Sequence, residues 1–189
     1  MKINQNTVLR GKRVTLVPYA PAHVPRYHEW MRSEELQRLT ASEPLSLEQE
    51  YEMQRSWRED TDSEDLKIFS EGGWERQVLR TAAFYSHGFT VAVQSHLLSL
   101  SEPSYRGRGF GKEATLMMMS YGVRNLGITK FEAKIGQENE ASICMFKKLH
   151  FKEVAVNSVF KEVTLRLDVS DQEKRWLLEQ TNHVEEKSY

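Results

Sequence analysis

Apolar and polar positions along the chain fall into two periods. In "EVTLRLDV", Val163, Leu165, Leu167 and Val169 alternate with Glu162, Thr164, Arg166 and Asp168, the pattern of a strand with one face on a core. "ITKFEAKI" sets Phe131, Ala133 and Ile135 against Glu132 and Lys134 in the same way, and "RVTLVPY", with Val14 and Leu16 opposite Thr15 and Val17, predicts an opening strand. The helical period appears in "PAHVPRYHEWM", through Val24, Tyr27 and Met31 with Trp30 beside them. Pro21 suits a first turn there, and Pro25 makes the start irregular. "SLEQEYEMQRSW" aligns Leu47, Tyr51 and Trp57 behind a capping box of Ser46 and Gln49.

The strongest helical signal is "KEATLMMMSYGVRNLG". Ala114, Met117, Met118, Tyr121 and Leu126 share one broad face, Gly127 stands where a C-cap belongs, and the run Met117 to Met119 reads as core. "ENEASICMFKKLHF" repeats through Ile143, Phe146 and Leu149, with Asn139 placed as its N-cap. Ser170 and Glu173 form a second capping box before a last helix through Trp176, Leu177 and Leu178, and "NHVEEKSY" reads as a loose end. Between Arg58 and Ser101 the pattern weakens. Leu66, Ile68 and Phe69, then the alternation of Phe89, Val91 and Val93, suggest strands without a recognisable hairpin turn between them. Strands and helices interleave, which predicts one mixed α/β domain.

Composition narrows the class. With 189 residues, 39% of them hydrophobic and 28% charged, the chain can bury a core in water. Lys plus Arg (26) nearly balance Asp plus Glu (27), so no overall field draws it to nucleic acid or to an acidic membrane, and anion recognition has to be local. The single cysteine, Cys144, excludes an internal disulfide and a cysteine-rich zinc site. No apolar run reaches the length of a membrane span and the first residues lack the apolar core of a secretory signal, so the expected compartment is the cytoplasm or the nucleus.

The chemistry concentrates in "SEPSYRGRGFGKEA", where Gly107, Gly109 and Gly111 are interleaved with Arg106, Arg108, Phe110 and Lys112 at the entry to the methionine-rich helix. Glycines leave backbone N–H groups unshielded at a helix N-terminus, and the flanking cations add charge-assisted bonds, which suits an anion. A solvated connection fits the same residues. The loop is not a P-loop, since no Ser or Thr follows Lys112, and it is not a dinucleotide fingerprint, since no strongly apolar strand precedes it.

The order of parts after the loop (apolar helix, alternating strand, Asn-capped helix, Phe151, long strand) resembles the GNAT acetyltransferases, and "LRGKRVTLVPYAPAHVPRYHEWMRSEELQRL" is similar to the branch containing the ribosomal-protein N-terminal acetyltransferases. The resemblance covers residues 1–60 and 101–189. It implies a mixed, mostly antiparallel sheet flanked by helices over residues 1–169, with 61–100 atypical and 170–189 a C-terminal helix and tail. It also implies an acetyl-CoA-dependent N-acetyltransferase acting on an amine of a protein or peptide, with no metal. By the family's pattern, Arg106 to Lys112 would cradle the cofactor's pyrophosphate and Asn139 would meet its pantetheine arm.

Residues 61–100 do not follow the family's three-strand meander, and no carboxylate ends the strand before the loop; a splice variant or an altered reading frame of this segment would explain the break, and a disrupted meander is the expectation. The position where many members carry an acid tyrosine is Phe146, and the glycine after it is His150, so no catalytic residue is assigned. The alternative is a GNAT scaffold impaired in catalysis that binds CoA or protein partners. Among the remaining candidates, Cys144 reads as a small buried hydrophobe and His150 as a helix-end histidine satisfied by a carbonyl. His23 and His28 are spaced wrongly for a helical zinc pair, and the acidic run Glu59 to Asp65 reads as a solvated loop.

Overall fold

The computed structural model describes residues 6–39, 42–59, 63–70, 78–87, 90–94 and 108–189. Two short strands, β1 (Thr7–Arg10) and β2 (Val14–Pro18), form an antiparallel hairpin with Leu9 opposite Leu16. Its turn closes where the Gly11 N–H donates to the Val14 carbonyl at 2.9 Å. β2 was legible from its alternation, whereas β1, of four residues, is too short to show a period. A 3-10 turn at Pro21–His23 leads into α1 (Val24–Met31), followed by α2 (Glu34–Leu39) and α3 (Leu47–Glu59).

Three strands come next, β3 (Ser63–Ser70), β4 (Val78–His87) and β5 (Thr90–Gln94), then α4 (Phe110–Asn125), β6 (Lys130–Gly136), α5 (Glu140–Lys148), β7 (Lys152–Asn157), β8 (Glu162–Asp168), α6 (Asp171–Gln180) and β9 (Glu185–Ser188). The nine described strands make one sheet in the order β7-β8-β6-β5-β4-β3-β2-β1-β9. Neighbours are antiparallel except β5 and β6, which run parallel from Thr90 opposite Lys130 to Gln94 opposite Lys134.

The meander expected to be disrupted is therefore present as backbone pairing: β2 pairs β3, β3 pairs β4 with a register shift between Leu66 and Ile68, and β4 pairs β5. Side-chain alternation is a weak guide here because the pairing is imposed from both sides. β2 and β6 each present an edge of N–H and C=O groups that must find partners, and the intervening chain supplies them. The acidic run is correspondingly divided, with Glu59 closing α3 and Ser63 to Asp65 opening β3.

The main core lies between the sheet and α4, α5 and α6. α4 is buried continuously from Glu113 to Val123, and Met117, Met118 and Met119 are at most 2% exposed, as the sequence pattern required. Phe131, Ala133 and Ile135 of β6, Val163, Leu165 and Leu167 of β8, and Phe146, Leu149 and Leu177 of the helices complete it. Val17, on the other face of β2 from Val14 and Leu16, is also buried. A second cluster joins Tyr19 and Val24 to Tyr27, Tyr51 and Trp57 at α1 and α3.

The capping box of α3 forms in both directions, Ser46 N–H to Gln49 Oε1 at 2.8 Å and Gln49 N–H to Ser46 Oγ at 3.2 Å. The face of that helix differs from expectation. Leu47 is exposed, and the buried positions are Glu50 and Gln54. Gln54 Nε2 donates to the Tyr19 carbonyl at 2.9 Å, and Glu50 Oε1 lies 3.3 Å from His28 Nδ1. Polar groups can occupy an inner face when they are bonded there, which an apolar periodicity cannot show.

The second box forms only in part. Glu173 N–H donates to Ser170 Oγ, but the Glu173 carboxylate turns to His150, and Ser170 N–H donates to the Asp168 carbonyl. The expected loose tail is instead strand β9, paired antiparallel with β1 from Thr7 opposite Ser188 to Arg10 opposite Glu185. It follows a buried junction in which Thr181 Oγ1 donates to the Leu177 carbonyl at 2.8 Å and lies 2.8 Å from Ser120 Oγ, whose hydroxyl it can accept. Thr181→Val removes that hydroxyl and leaves the buried Ser120 hydroxyl without this partner, so we expect a loss of about 1–3 kcal/mol in urea unfolding, with no change in slope.

Candidate active site

Chain direction sets up the site. β5 and β6 are the one parallel pair among the described strands. β5 leads toward the glycine loop and α4, and β6 leads through Gly136 into the N-terminus of α5, so two helix starts follow the carboxyl ends of adjacent parallel strands. Crevices outside such strand ends are where open sheets receive ligands.

α4 begins at Gly109, whose φ of 81° is left-handed. A Cβ there would lie 3.1 Å from Arg13 Nη1 and 3.2 Å from Nη2, so the position is reserved for glycine by conformation and by space. The first bond into the helix runs from Glu113 N–H to the Gly109 carbonyl at 3.1 Å. The N–H groups of Gly111 and Lys112 precede it and have no intrahelical acceptor, with Arg108 and Lys112 exposed beside them. Of the residues expected at the anion loop, Arg108, Gly109, Phe110, Gly111 and Lys112 come together here; Arg106 and Gly107 lie outside the described residues.

Asn139 caps α5 as predicted, its Oδ1 accepting from Ser142 N–H at 3.2 Å. Arg38 of α2 pairs with Glu138, beside that cap.

Two residues at this end escaped the sequence reading. Glu113, 8% exposed, accepts from Lys12 N–H at 2.6 Å and Arg13 N–H at 3.1 Å through Oε1, and from Arg13 Nε at 3.0 Å through Oε2. Arg13 Nη1 donates in turn to the Arg108 carbonyl at 2.7 Å, and its guanidinium lies 5.9 Å from the centroid of the Phe110 ring. The only advance signal was a basic turn at one end of the chain and an acidic residue after the glycines about 100 positions away, and no periodicity links them. An open cavity of about 220 Å³ adjoins this contact, lined among others by Lys12, Arg13, Lys112, Glu113 and His183.

The position that the family resemblance marks for an acid carries no proton donor. Phe146 is fully buried, 5.0 Å from Phe151 between ring centroids. His150 takes φ 68°, the conformation a glycine would adopt freely, and its Nδ1 lies 2.8 Å from Glu173 Oε2 with the ring 4.2 Å from Trp176. Its partner is thus a carboxylate rather than the expected helix-end carbonyl. Cys144, expected in the core, is exposed.

Residues 13–152 match the family model described as an acetyltransferase (GNAT) domain. The chain belongs to the GNAT acetyltransferase family. Within it, this GNAT chain is 58% identical over 199 residues to alpha/beta-tubulin-N-acetyltransferase 9 of Homo sapiens, covering 100% of this chain and 96% of that one. It is 44% identical over 176 residues to an N-acetyltransferase 9-like protein of Nematostella vectensis, covering 89% of each. Its GNAT fold is shared with a spermidine N-acetyltransferase from Vibrio cholerae crystallised with CoA and spermine, at TM-score 0.72 and 12% identity over 87% of this chain and 99% of that one.

Restoring a hydroxyl at the acid position should not help. Phe146→Tyr places an O–H in a fully buried site, and we expect a stability loss of about 1–3 kcal/mol in chemical denaturation rather than any gain in turnover.

Proposed function

We propose that this chain is an acetyl-CoA-dependent N-acetyltransferase that passes the acetyl group directly to an amine of a protein. The left-handed Gly109 at the mouth of α4 carries the reading. It turns the chain into α4 so that the first-turn amides stand beside Arg108 and Lys112, an arrangement that suits a pyrophosphate, while its missing Cβ leaves the room that the Arg13 guanidinium takes. Gly111 and Lys112 N–H groups with the Arg108 and Lys112 side chains would hold that group, together with Arg106 and Gly107. Asn139, its Oδ1 committed to the α5 cap, keeps its Nδ2 for the pantetheine arm. Bound there, acetyl-CoA supplies an acyl group already activated as a thioester. The names of the relatives make the amines of α- and β-tubulin the acceptors to test.

Phe146 favours a second reading, a scaffold that binds CoA without efficient turnover, because that position cannot protonate a departing thiolate. Calorimetry with acetyl-CoA on the wild-type chain and on Gly109→Trp tests the cofactor assignment; saturable heat in the first and its loss in the second is the expected result, and no heat in either sinks it. Release of free CoA thiol with tubulin present is expected for the enzyme, whereas binding without release belongs to the scaffold.

A further inference from the structure

Arg13 contacts the glycine loop from a hairpin that the loop's own sequence gives no hint of. Its guanidinium spans three successive residues: Nη1 bonds the Arg108 carbonyl, both Nη atoms flank the place a Gly109 side chain would fill, and the planar group lies near the Phe110 ring. The other edge is fixed by Glu113, the first acidic residue of α4, through Nε. Glu113 is fixed in turn by the Lys12 and Arg13 amides, and its approach needs Gly11, because a Cβ there would come within 2.6 Å of Oε1 and 2.7 Å of Met117 Sδ.

A cation at a helix N-terminus opposes the dipole, and Arg108 and Lys112 already stand there. Glu113 neutralises Arg13 and leaves the charge of the other two facing outward. A guanidinium can hold a carboxylate and a carbonyl from one rigid fork, which an ammonium cannot.

We infer that Arg13 is a positioning residue for cofactor binding: anchored by Glu113, it fixes the backbone of Arg108 to Phe110 so that the first-turn amides of α4 point at the anion. The inference rests on the acetyl-CoA reading above, since it concerns the same loop. Arg13 need not touch the cofactor. Its side chain is half-exposed, and Glu113 keeps the Lys12 and Arg13 backbone amides when that side chain is replaced, so the core should stay intact.

The test compares the wild-type chain with Arg13→Gln and Arg13→Lys by acetyl-CoA calorimetry, by steady-state kinetics with a tubulin amine, and by amide hydrogen exchange without cofactor. Arg13→Gln should raise the acetyl-CoA Kd and KM about tenfold while the KM for the amine stays within about twofold, a split that general loss of structure would not produce. Arg13→Lys, which keeps the charge and loses the fork, should fail to restore affinity. Exchange at Gly109 to Lys112 should quicken in both variants, with the melting temperature changed by no more than a few degrees. A wild-type chain that binds while both variants bind equally well overturns the role of Arg13 alone. Absence of binding in the wild-type chain overturns the cofactor reading and this inference with it, and equal rises in both KM values show Arg13 to be merely structural.

Discussion

A carboxylate taken out of water must find donors or become neutral, and Glu113 meets that demand with two backbone amides and a guanidinium drawn from about 100 positions earlier in the chain. Much else hangs on that one buried anion. It sits in the first turn of α4, where negative charge is favoured by the dipole, and it locks the turn of the first hairpin onto that helix. Because α4 is buried for most of its length against β2 and its neighbours, fixing its first turn fixes its register over the sheet and with it the place of the glycine loop. The small size of Gly11 is the condition for this approach. Local chemistry at three residues thus decides where an anion site can be.

The far end of α4 is tied by the C-terminal segment. Thr181 reaches Ser120, Asn125 Nδ2 lies 3.2 Å from both oxygens of Glu186, and β9 continues the sheet past β1. His183 Nε2 stands 3.9 Å from Glu113 Oε1, too far for a hydrogen bond but close to the same contact. β9 also makes an edge that discourages further pairing, since Glu185, Glu186 and Lys187 are all exposed on it. The opposite edge, β7, is exposed along its whole length and carries Val154 and Val156, with Val159 and Phe160 at the turn that follows.

What the sequence made legible were the elements whose side chains report their own environment. β6 and β8 alternate because one face is core, α4 is apolar nearly all round because it is buried nearly all round, and Asn139 and Ser46 are caps by chemistry. Elements held by something other than their own pattern stayed hidden. β1 and β9 are short and exist because they pair with each other and, through β1, with β2; β7 is exposed throughout and so shows no period; β3, β4 and β5 follow from backbone groups that flanking strands leave to be satisfied. The site divides along the same line. The glycines, Arg108 and Lys112 advertise an anion because they lie together in the chain, while Arg13 and Glu113 become neighbours only after folding.

Binding and chemistry place unequal demands on this scaffold. A thiol, with a pKa near 8.5, leaves tolerably as its thiolate near neutral pH, and a positioned acid typically adds about 10²–10⁴-fold. Freeing an amine of its proton is the heavier requirement for a lysine, whose pKa near 10.4 stands about 3.4 units above neutrality, roughly 4.6 kcal/mol, and a light one for an α-amine at about 7.7–8.0. Loss of a hydroxyl at Phe146 therefore touches the smaller term. In the proposed reaction the larger one falls on whatever group accepts the amine's proton, and an α-amine asks least of it. Phe146 packs in the core and the β3 to β5 pairing stands, and neither alters the parallel step between β5 and β6 where the proposed reading brings amine and thioester together.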